Sequence, residues 1–286
     1  MVYKNSKYRP SGLDVHIEEM LTSNIQFQEL LKEDCFSILI VNSGSLGILI
    51  RDAAIHLDVN ELILIPQKSY CKILSSSNQF RISLVSFSAA FIFENSIRRP
   101  FVGYFEFFVT KAPTKVFLKS KDVLLLLDLF KLIDSKRRSS DKHIFKNEVL
   151  LFSFNLLLYE LAALYFRYSR EIKIKYSRKE IIVMQFFSSL EINCRQQHSV
   201  KFYAESLFIT TGHLTKMVKE VTEKTTKQFI EEALVLEAKI LLQNEDLTIL
   251  HIMEELQFSN VSFFSNFFKK YTSISPTEYR LKFNIY

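Results

Sequence analysis

An internal repeat of fifty residues constrains the fold of this 286-residue chain more than any other feature of its sequence. In residues 211–221, apolar side chains recur at i, i+3, i+4 and i+7, the spacing that places them on one face of a helix. The same spacing recurs fifty residues later, in residues 261–271. The apolar face consists of Leu214, Met217, Val218 and Val221 in the first copy and of Phe264, Phe267, Phe268 and Tyr271 in the second.

The faces opposite the two apolar stripes carry small polar side chains and lysines. We therefore predict two amphipathic helices in the same register, each buried on one side and exposed on the other. The exposed face consists of Gly212, Thr215, Lys216 and Lys219 in the first copy and of Ser262, Ser265, Asn266 and Lys269 in the second.

A shorter helical pattern precedes each of these helices, over residues 204–209 and 252–258. A short helix, a tight turn and a second amphipathic helix form the helix-turn-helix arrangement, whose second helix enters the major groove of DNA. Residues 227–242 connect the two units with a continuous helical pattern. If the units lie about 34 Å apart, both enter successive major grooves from one side of the duplex. The apolar positions of the connecting helix are Phe229, Ala233, Leu236 and Ile240.

Helix-capping residues agree with these boundaries. Thr248 precedes the apolar pattern of the second short helix and is a favourable N-cap. Ser275 and Glu278 have the spacing of a capping box, and Pro276 stands at the first helical position. We therefore expect a last helix to begin at Pro276.

Residues 182–286 resemble the DNA-binding domain of AraC-type (AraC/XylS) transcription regulators. The resemblance lies in IMEELQF at 252–258, SFFSNFFKK at 262–270 and SPTEYR at 275–280, with upstream matches at Ala204, Leu207, Leu214, Val218, Lys219 and EAKILL at 237–242. It implies an all-α domain with two helix-turn-helix units that binds double-stranded DNA and recruits or blocks RNA polymerase. It also implies that DNA is bound by Gly212, Thr215, Lys216, Lys219, Ser262, Ser265, Asn266 and Lys269.

The sequence departs from the family pattern at four places. The second turn has Gln257 where the family usually has glycine, at a position that often requires a positive φ. Asn266 and Leu234 replace arginines that are common in the family, and the glycine usual near Ser273 is absent. These changes leave the operator sequence and the affinity for DNA open.

The first part of the chain has a different pattern. Short β-rich runs at 36–41, 46–50, 61–65 and 80–87, separated by polar turns, predict a β-sandwich or small barrel. This pattern resembles the cupin-like sensor domain of the same family, and we assign it residues 1–120. By that resemblance it would either bind a small-molecule effector or relay dimer geometry without a ligand, and the sequence indicates neither a ligand nor its contact residues.

Residues 121–170 change to a helical pattern, over 123–130 and 149–166, with a polar loop predicted at 135–142. Both helices are apolar around much of their circumference, so they either associate with a second copy of the chain or cover the strands. We predict a helical dimerisation segment at 121–170 and therefore a homodimer. A basic linker at 171–181 follows, and the DNA-binding domain spans 182–286. The predicted fold class is α+β and multidomain.

Composition and spacing disfavour catalysis. Cys35, Cys71 and Cys194 are odd in number and far apart, which excludes a disulfide framework or a four-cysteine zinc site. His16 and His56 are too far apart to form a His-x-His metal-binding pair, and the sequence has no phosphate-binding loop or nucleophile motif. We therefore expect no enzyme activity, metal or cofactor. The chain starts without an apolar signal segment, and we expect a cytoplasmic protein without a membrane partner.

Net charge leaves a second function open. The formal net charge is +6, but residues 181–286 hold 11 basic and 12 acidic side chains. DNA binding therefore depends on where the lysines lie rather than on bulk charge. The alternative is a protein–protein interaction adaptor that uses the same helices without binding DNA.

Overall fold

The computed structural model describes residues 12–20, 27, 29–95, 114–138, 144–169 and 177–283. The chain forms two compact units, 1–174 and 175–286, and the boundary lies inside the predicted linker at 171–181. That linker was predicted too long at its end, because a helix begins at Arg178. Ser177 caps this helix in a capping box with Glu180, a signal that the sequence analysis missed.

The first unit contains two antiparallel sheets. Their strands are β1 (Leu13–Met20), β2 (Cys35–Ser43), β3 (Leu46–Ile50), β4 (Ala53–Leu57), β5 (Glu61–Ile65), β6 (Cys71–Ser76), β7 (Arg81–Ser88) and β8 (Thr114–Phe117). One sheet has the order β1-β7-β2-β5-β8 and the other the order β4-β3-β6.

The central strands of the larger sheet are buried on both faces. Alternate residues of β2 show this directly, since Leu39 faces the smaller sheet and Ile38 faces the helices. Period-two alternation sends successive side chains to opposite sides, so two separate cores form from one strand. This explains why β2, β5 and β7 appear in the sequence as continuous apolar runs.

The sequence analysis did not predict four of the described strands. They are β1, β4, β6 and β8, which lie at the edges of the two sheets. Edge strands are covered on fewer sides, so polar and exposed positions interrupt their apolar pattern. The predicted sandwich is confirmed, whereas its cupin-like character stays a prediction.

The first unit also contains the helices α1 (Ala89–Glu94), α2 (Ser120–Arg138) and α3 (Lys146–Ser169). The two long helices pack on the outer face of the larger sheet, where Phe154 meets Phe87 with ring centroids 5.0 Å apart. The predicted polar loop at 135–142 is wrong at its start. Residues 135–138 continue α2, and Asp134 accepts hydrogen bonds from Arg137 and Arg138 there. Residues 139–143 lie outside the described residues.

Helix α3 is long and apolar enough, over residues 146–165, to cross a membrane by length and composition alone. Half of that stretch is buried inside the unit. A helix packed against a sheet core passes the same test, so the finding is weak evidence for a membrane span.

The second unit is all-α, as predicted. Its helices are α4 (Arg178–Asn193), α5 (Val200–Ser206), α6 (Thr211–Thr222), α7 (Thr226–Leu242), α8 (Ile249–Glu255), α9 (Val261–Thr272) and α10 (Pro276–Phe283). The predicted N-cap at Thr248 is confirmed, and so is the capping box, in which Glu278 N donates to Ser275 Oγ and Ser275 N donates to Glu278 Oε2.

The buried face of α7 differs from the predicted one. Of the predicted apolar positions, only Phe229 is buried, while Ala233, Leu236 and Ile240 are half-buried. The reason is that α4, α5, α6, α8, α9 and α10 all contact this helix, so its buried surface is wider than a single stripe. Leu234, at a position where the related family often has arginine, is 2% exposed in this core.

Candidate nucleic-acid interface

Helices α6 and α9 begin with equivalent N-caps fifty residues apart. Thr210 Oγ1 accepts a hydrogen bond from His213 N at 3.2 Å, and Asn260 Oδ1 accepts one from Phe263 N at 2.8 Å. These side chains satisfy backbone donors that would otherwise have no partner in the first helical turn. Both helices therefore start at corresponding points of the repeat.

The two helices also end in the same way. Thr222 Oγ1 donates to Val218 O, and Thr272 Oγ1 donates to Phe268 O. The next residues, Glu223 and Ser273, adopt left-handed conformations with φ of 66° and 65°. Glycine is the usual residue in this conformation. Its absence near Ser273 therefore leaves the helix end unchanged, with a side chain in a strained position.

The turns that precede α6 and α9 differ in length. Three residues separate α5 from the N-cap of α6, and four separate α8 from the N-cap of α9. Phe208 and Gln257 occupy the turns with φ of 55° and 53°. Gln257 therefore has the positive φ that this position often requires. Gln257 Nε2 donates to Glu254 O at 3.0 Å, which ties the turn to the preceding helix.

Phe208 is a feature that the sequence analysis missed. Its side chain is 96% exposed although it is a large apolar residue. An apolar residue inside a helical pattern predicts burial, and only the left-handed backbone at this turn directs the ring into solvent. The one sequence signal that could have predicted this exposure is the turn that follows the short helix.

The eight predicted DNA-binding residues lie on the solvent side of their helices. Leu214, Val218, Phe264 and Phe268 form the opposite side and are fully buried. A side chain added at Gly212 would meet nothing within 4 Å, so that part of α6 faces open space. Thr215 and Ser265 are half-buried, and the exposed members are Gly212, Lys216, Lys219, Ser262, Asn266 and Lys269.

The predicted apolar faces are confirmed with one difference between the copies. Met217 is 8% exposed, whereas its repeat mate Phe267 is half-buried. Phe263 projects from α9 into solvent with 64% exposure, so it does not belong to the core.

The electrostatic surroundings of the two helices differ. Glu220 of α6 lies 4.0 Å from Lys216 Nζ and is hydrogen-bonded by Lys179 of α4. The hydrogen bond from Lys179 lowers the pKa of Glu220, so the carboxylate is ionised at neutral pH. Helix α9 contains Lys269 and Lys270 and no acidic residue. A polyanion therefore meets a partly neutralised surface on α6 and an uncompensated one on α9.

Helix α9 is held in place by aromatic side chains. Phe258 of the preceding turn contacts Phe264 and Phe267, with ring centroids 5.4 and 5.1 Å apart. Tyr271 Oη donates to Glu231 Oε2 of α7 at 2.5 Å. Burial and the Glu231 carboxylate raise the pKa of this phenol, so it remains a donor.

Chemistry other than binding finds little support at these helices. Within the described residues, His, Cys, Asp and Glu side chains form no group of three that could hold a metal. All three cysteines are buried, and burial raises the pKa of Cys71 to about 12 and that of Cys194 to about 11. A thiol with such a pKa is a poor nucleophile at neutral pH.

Comparison with known proteins identifies this part of the chain. A family model described as a helix-turn-helix domain matches residues 203–282, which include both helix-turn-helix units. HTH-type transcriptional activator AarP of Providencia stuartii is 28% identical over 116 residues, covering 39% of this chain and 86% of AarP. The C-terminal domain is therefore similar to the helix-turn-helix domains of transcription activators.

A second relative is also similar to part of this chain. The Msm operon regulatory protein of Streptococcus mutans is 30% identical over 102 residues, which is 36% of this chain. This chain therefore matches about a third of the length of that relative, 34%. By their names, both relatives are regulatory proteins.

One similarity to a solved structure extends over nearly the whole chain. The crystal structure of ToxT from Vibrio cholerae O395 aligns with 94% of this chain and 96% of its own, at 14% identity and a TM-score of 0.34.

Proposed function

We propose that the protein is a sequence-specific transcription regulator that binds double-stranded DNA through α6 and α9. We call these the first and the second recognition helix. One observation carries the proposal: two helices fifty residues apart have matching caps, matching buried faces and exposed polar ridges with lysines. This duplication is explained if each repeat supplies one helix that enters the major groove of the same DNA duplex.

Each exposed side chain has a chemical role in this proposal. Lys216, Lys219 and Lys269 contact phosphates or the O6 and N7 atoms of guanine. Thr215, Ser262 and Ser265 meet base edges or phosphates. Asn266 has the amide that pairs with adenine through two hydrogen bonds. Gly212 allows the DNA backbone to approach closely, because no side chain stands there.

A homodimer formed through α2 and α3 is the second part of the proposal. These helices cover the sheet with one side, and the other side exposes large apolar groups. Exposed apolar patches of this kind often mark interfaces, and a two-fold dimer presents two DNA-binding domains. The exposed groups include Leu124 (63%), Leu125 (41%), Phe152 (73%), Leu156 (48%) and Tyr159 (49%).

The remaining parts follow from the AraC-type relationship. The regulator acts in the cytoplasm, and it recruits or blocks RNA polymerase at bound promoters. A small-molecule effector at the N-terminal unit changes how the recognition helices are presented. The inter-sheet core is apolar, with a buried hydrogen bond between the Ser37 and Ser86 hydroxyls. No residue is assigned to the effector.

A mobility-shift titration of the full chain tests the proposal. The probe is the duplex upstream of its own gene, with an unrelated duplex of equal length as competitor. We expect retained binding under competition and a linear fall of log affinity with log salt concentration. The adaptor alternative predicts no shift of any duplex at low salt, and that result would overturn the proposal.

A further inference from the structure

The connection between the two helix-turn-helix units is not helical throughout. Helix α7 ends at Leu242, and six residues precede α8. Residues 243–246 of this connection are exposed. The connection therefore does not by itself set the position of the second helix-turn-helix unit, and contacts between packed elements must do so.

Arg195 makes such a contact. It lies between α4 and α5, on the N-terminal side of the first helix-turn-helix unit. Its Nε and Nη2 atoms lie 2.7 and 2.6 Å from Glu237 Oε2 of α7, and its Nη1 atom lies 2.6 Å from Glu255 Oε1 of α8. The planar guanidinium suits this bridging geometry, because its donors point in fixed directions.

His198 adds a second contact between the same elements. Its ring centroid lies 5.3 Å from that of Phe258, and its Nε2 atom lies 3.3 Å from Arg195 O. Phe258 belongs to the turn of the second helix-turn-helix unit and contacts the buried ring of Phe264 in α9. The segment 195–198 therefore holds both the end of α8 and the turn before α9.

The first helix-turn-helix unit folds without equivalents of these contacts. The repeat mates of Glu255 and Phe258 are Ser206 and Ile209, and Ser206 Oγ donates to Tyr203 O within its own helix. The helix-turn-helix fold therefore does not require a carboxylate or an aromatic ring at these places. In the second helix-turn-helix unit, Glu255 and Phe258 both serve to join that unit to the first helix-turn-helix unit.

We propose that Arg195 is a positioning residue that sets the separation and angle of the two recognition helices, and thereby the spacing of half-sites that the protein accepts. This inference rests on the proposed function. One added base pair rotates a half-site by about 35° and moves it by about 3.4 Å, since a turn of DNA has about ten base pairs. Two helices held at a fixed angle cannot follow such a change, whereas two loosely joined helices can.

The first test needs no DNA. Spin labels at Lys219→Cys and Lys269→Cys report the distance between the recognition helices in the full chain, and the native cysteines are buried. We expect a narrow distance distribution in the parent protein and a broader or shifted one with Arg195→Met. Lys201→Met removes an exposed ion pair with Glu205 and is the matched control. Identical distributions for Arg195→Met and the parent would overturn the proposal.

Two milder variants guard against misfolding. Glu255→Gln removes only the negative charge at the branch to α8, and Arg195→Lys keeps the positive charge without the planar group. We expect both to broaden the distribution less than Arg195→Met while the helical circular dichroism stays unchanged. Narrow distributions for all variants would show that Arg195 does not position the helices.

The second test uses duplexes selected from a random library by the parent protein. One or two base pairs are then inserted between the two half-sites. We expect the parent to lose about tenfold or more in affinity on insertion, a typical cost of one mismatched contact. Arg195→Met should weaken binding to the selected duplex and reduce the penalty for insertion to less than about threefold.

The outcomes separate the two proposals. An equal loss of affinity on all duplexes would contradict a role of Arg195 in spacing. Failure to select any duplex would contradict DNA binding itself, and the distance measurement would then still decide whether Arg195 positions α6 and α9.

Discussion

The two helix-turn-helix units have almost the same backbone and very different side chains. Their long helices share N-caps, left-handed ends and buried registers. The first buries Leu214 and Val218 and has Glu220 near its lysines, whereas the second buries phenylalanines and has no acidic residue. Hydrogen bonds at helix ends and the apolar spacing suffice to specify the unit. The exposed positions are then free to diverge toward different half-sites.

The cores should differ in their sensitivity to truncation. Phe268→Ala removes a fully buried ring from α9 and should cost about 3–5 kcal/mol. Its repeat mate change, Val218→Ala, removes two methyl groups and should cost about 2 kcal/mol. Hydrogen exchange of peptides from α6 and α9 measures both locally. Equal effects would show that the aromatic core adds nothing to the second unit.

The lysines of the first recognition helix should dominate its DNA affinity. Lys216→Ala with Lys219→Ala should lower the affinity by roughly one to two orders of magnitude and reduce the salt slope by about 2, one for each lost contact. Lys72→Ala with Arg81→Ala removes two exposed cations from the first unit and is the control. Salt titrations in a mobility-shift assay test this. An unchanged slope in the first variant would contradict the assignment.

The acidic residue of α6 should act against DNA binding. Glu220→Gln frees Lys216 and Lys179 from their shared carboxylate, so affinity should rise by about two- to fivefold at low salt. Lys270→Gln at the repeat mate should lower affinity by a similar factor. Measuring both at two salt concentrations separates charge effects from changes of shape. A fall in affinity with Glu220→Gln, or a rise with Lys270→Gln, would refute the electrostatic comparison.

The left-handed helix ends should respond alike in both units. Glu223→Gly and Ser273→Gly place glycine where φ is near 65° and should each stabilise the protein by about 0.5–1 kcal/mol. His213→Gly, in the right-handed part of α6, should instead destabilise it by a similar amount. Thermal unfolding with calorimetry measures these changes. Destabilisation by both end variants would show that those side chains make contacts worth more than the strain.

Prediction from sequence succeeded best where signals are local. The apolar spacing in residues 211–221 and 261–271 and the caps at Thr248 and Ser275 each depend on a few neighbouring residues. The candidate DNA-binding face followed from that spacing, because the side opposite a buried stripe is exposed. Boundaries were less accurate. The helix that starts at Arg178 and the extension of α2 to Arg138 lie in polar segments, where a helical pattern has no apolar stripe to reveal it.

The sequence alone determined the repeat, the two amphipathic helices and the class of domain that they form. Only the tertiary structure decided that the larger sheet is covered by α2 and α3, that α7 contacts the other helices of the DNA-binding domain, and that Arg195 joins α7 to α8. These contacts connect residues far apart in the chain. Arg195 lies 60 positions from Glu255, and no local periodicity records such a pair. Burial and pairing at that range depend on how the helices pack, which the pattern of a single segment does not contain.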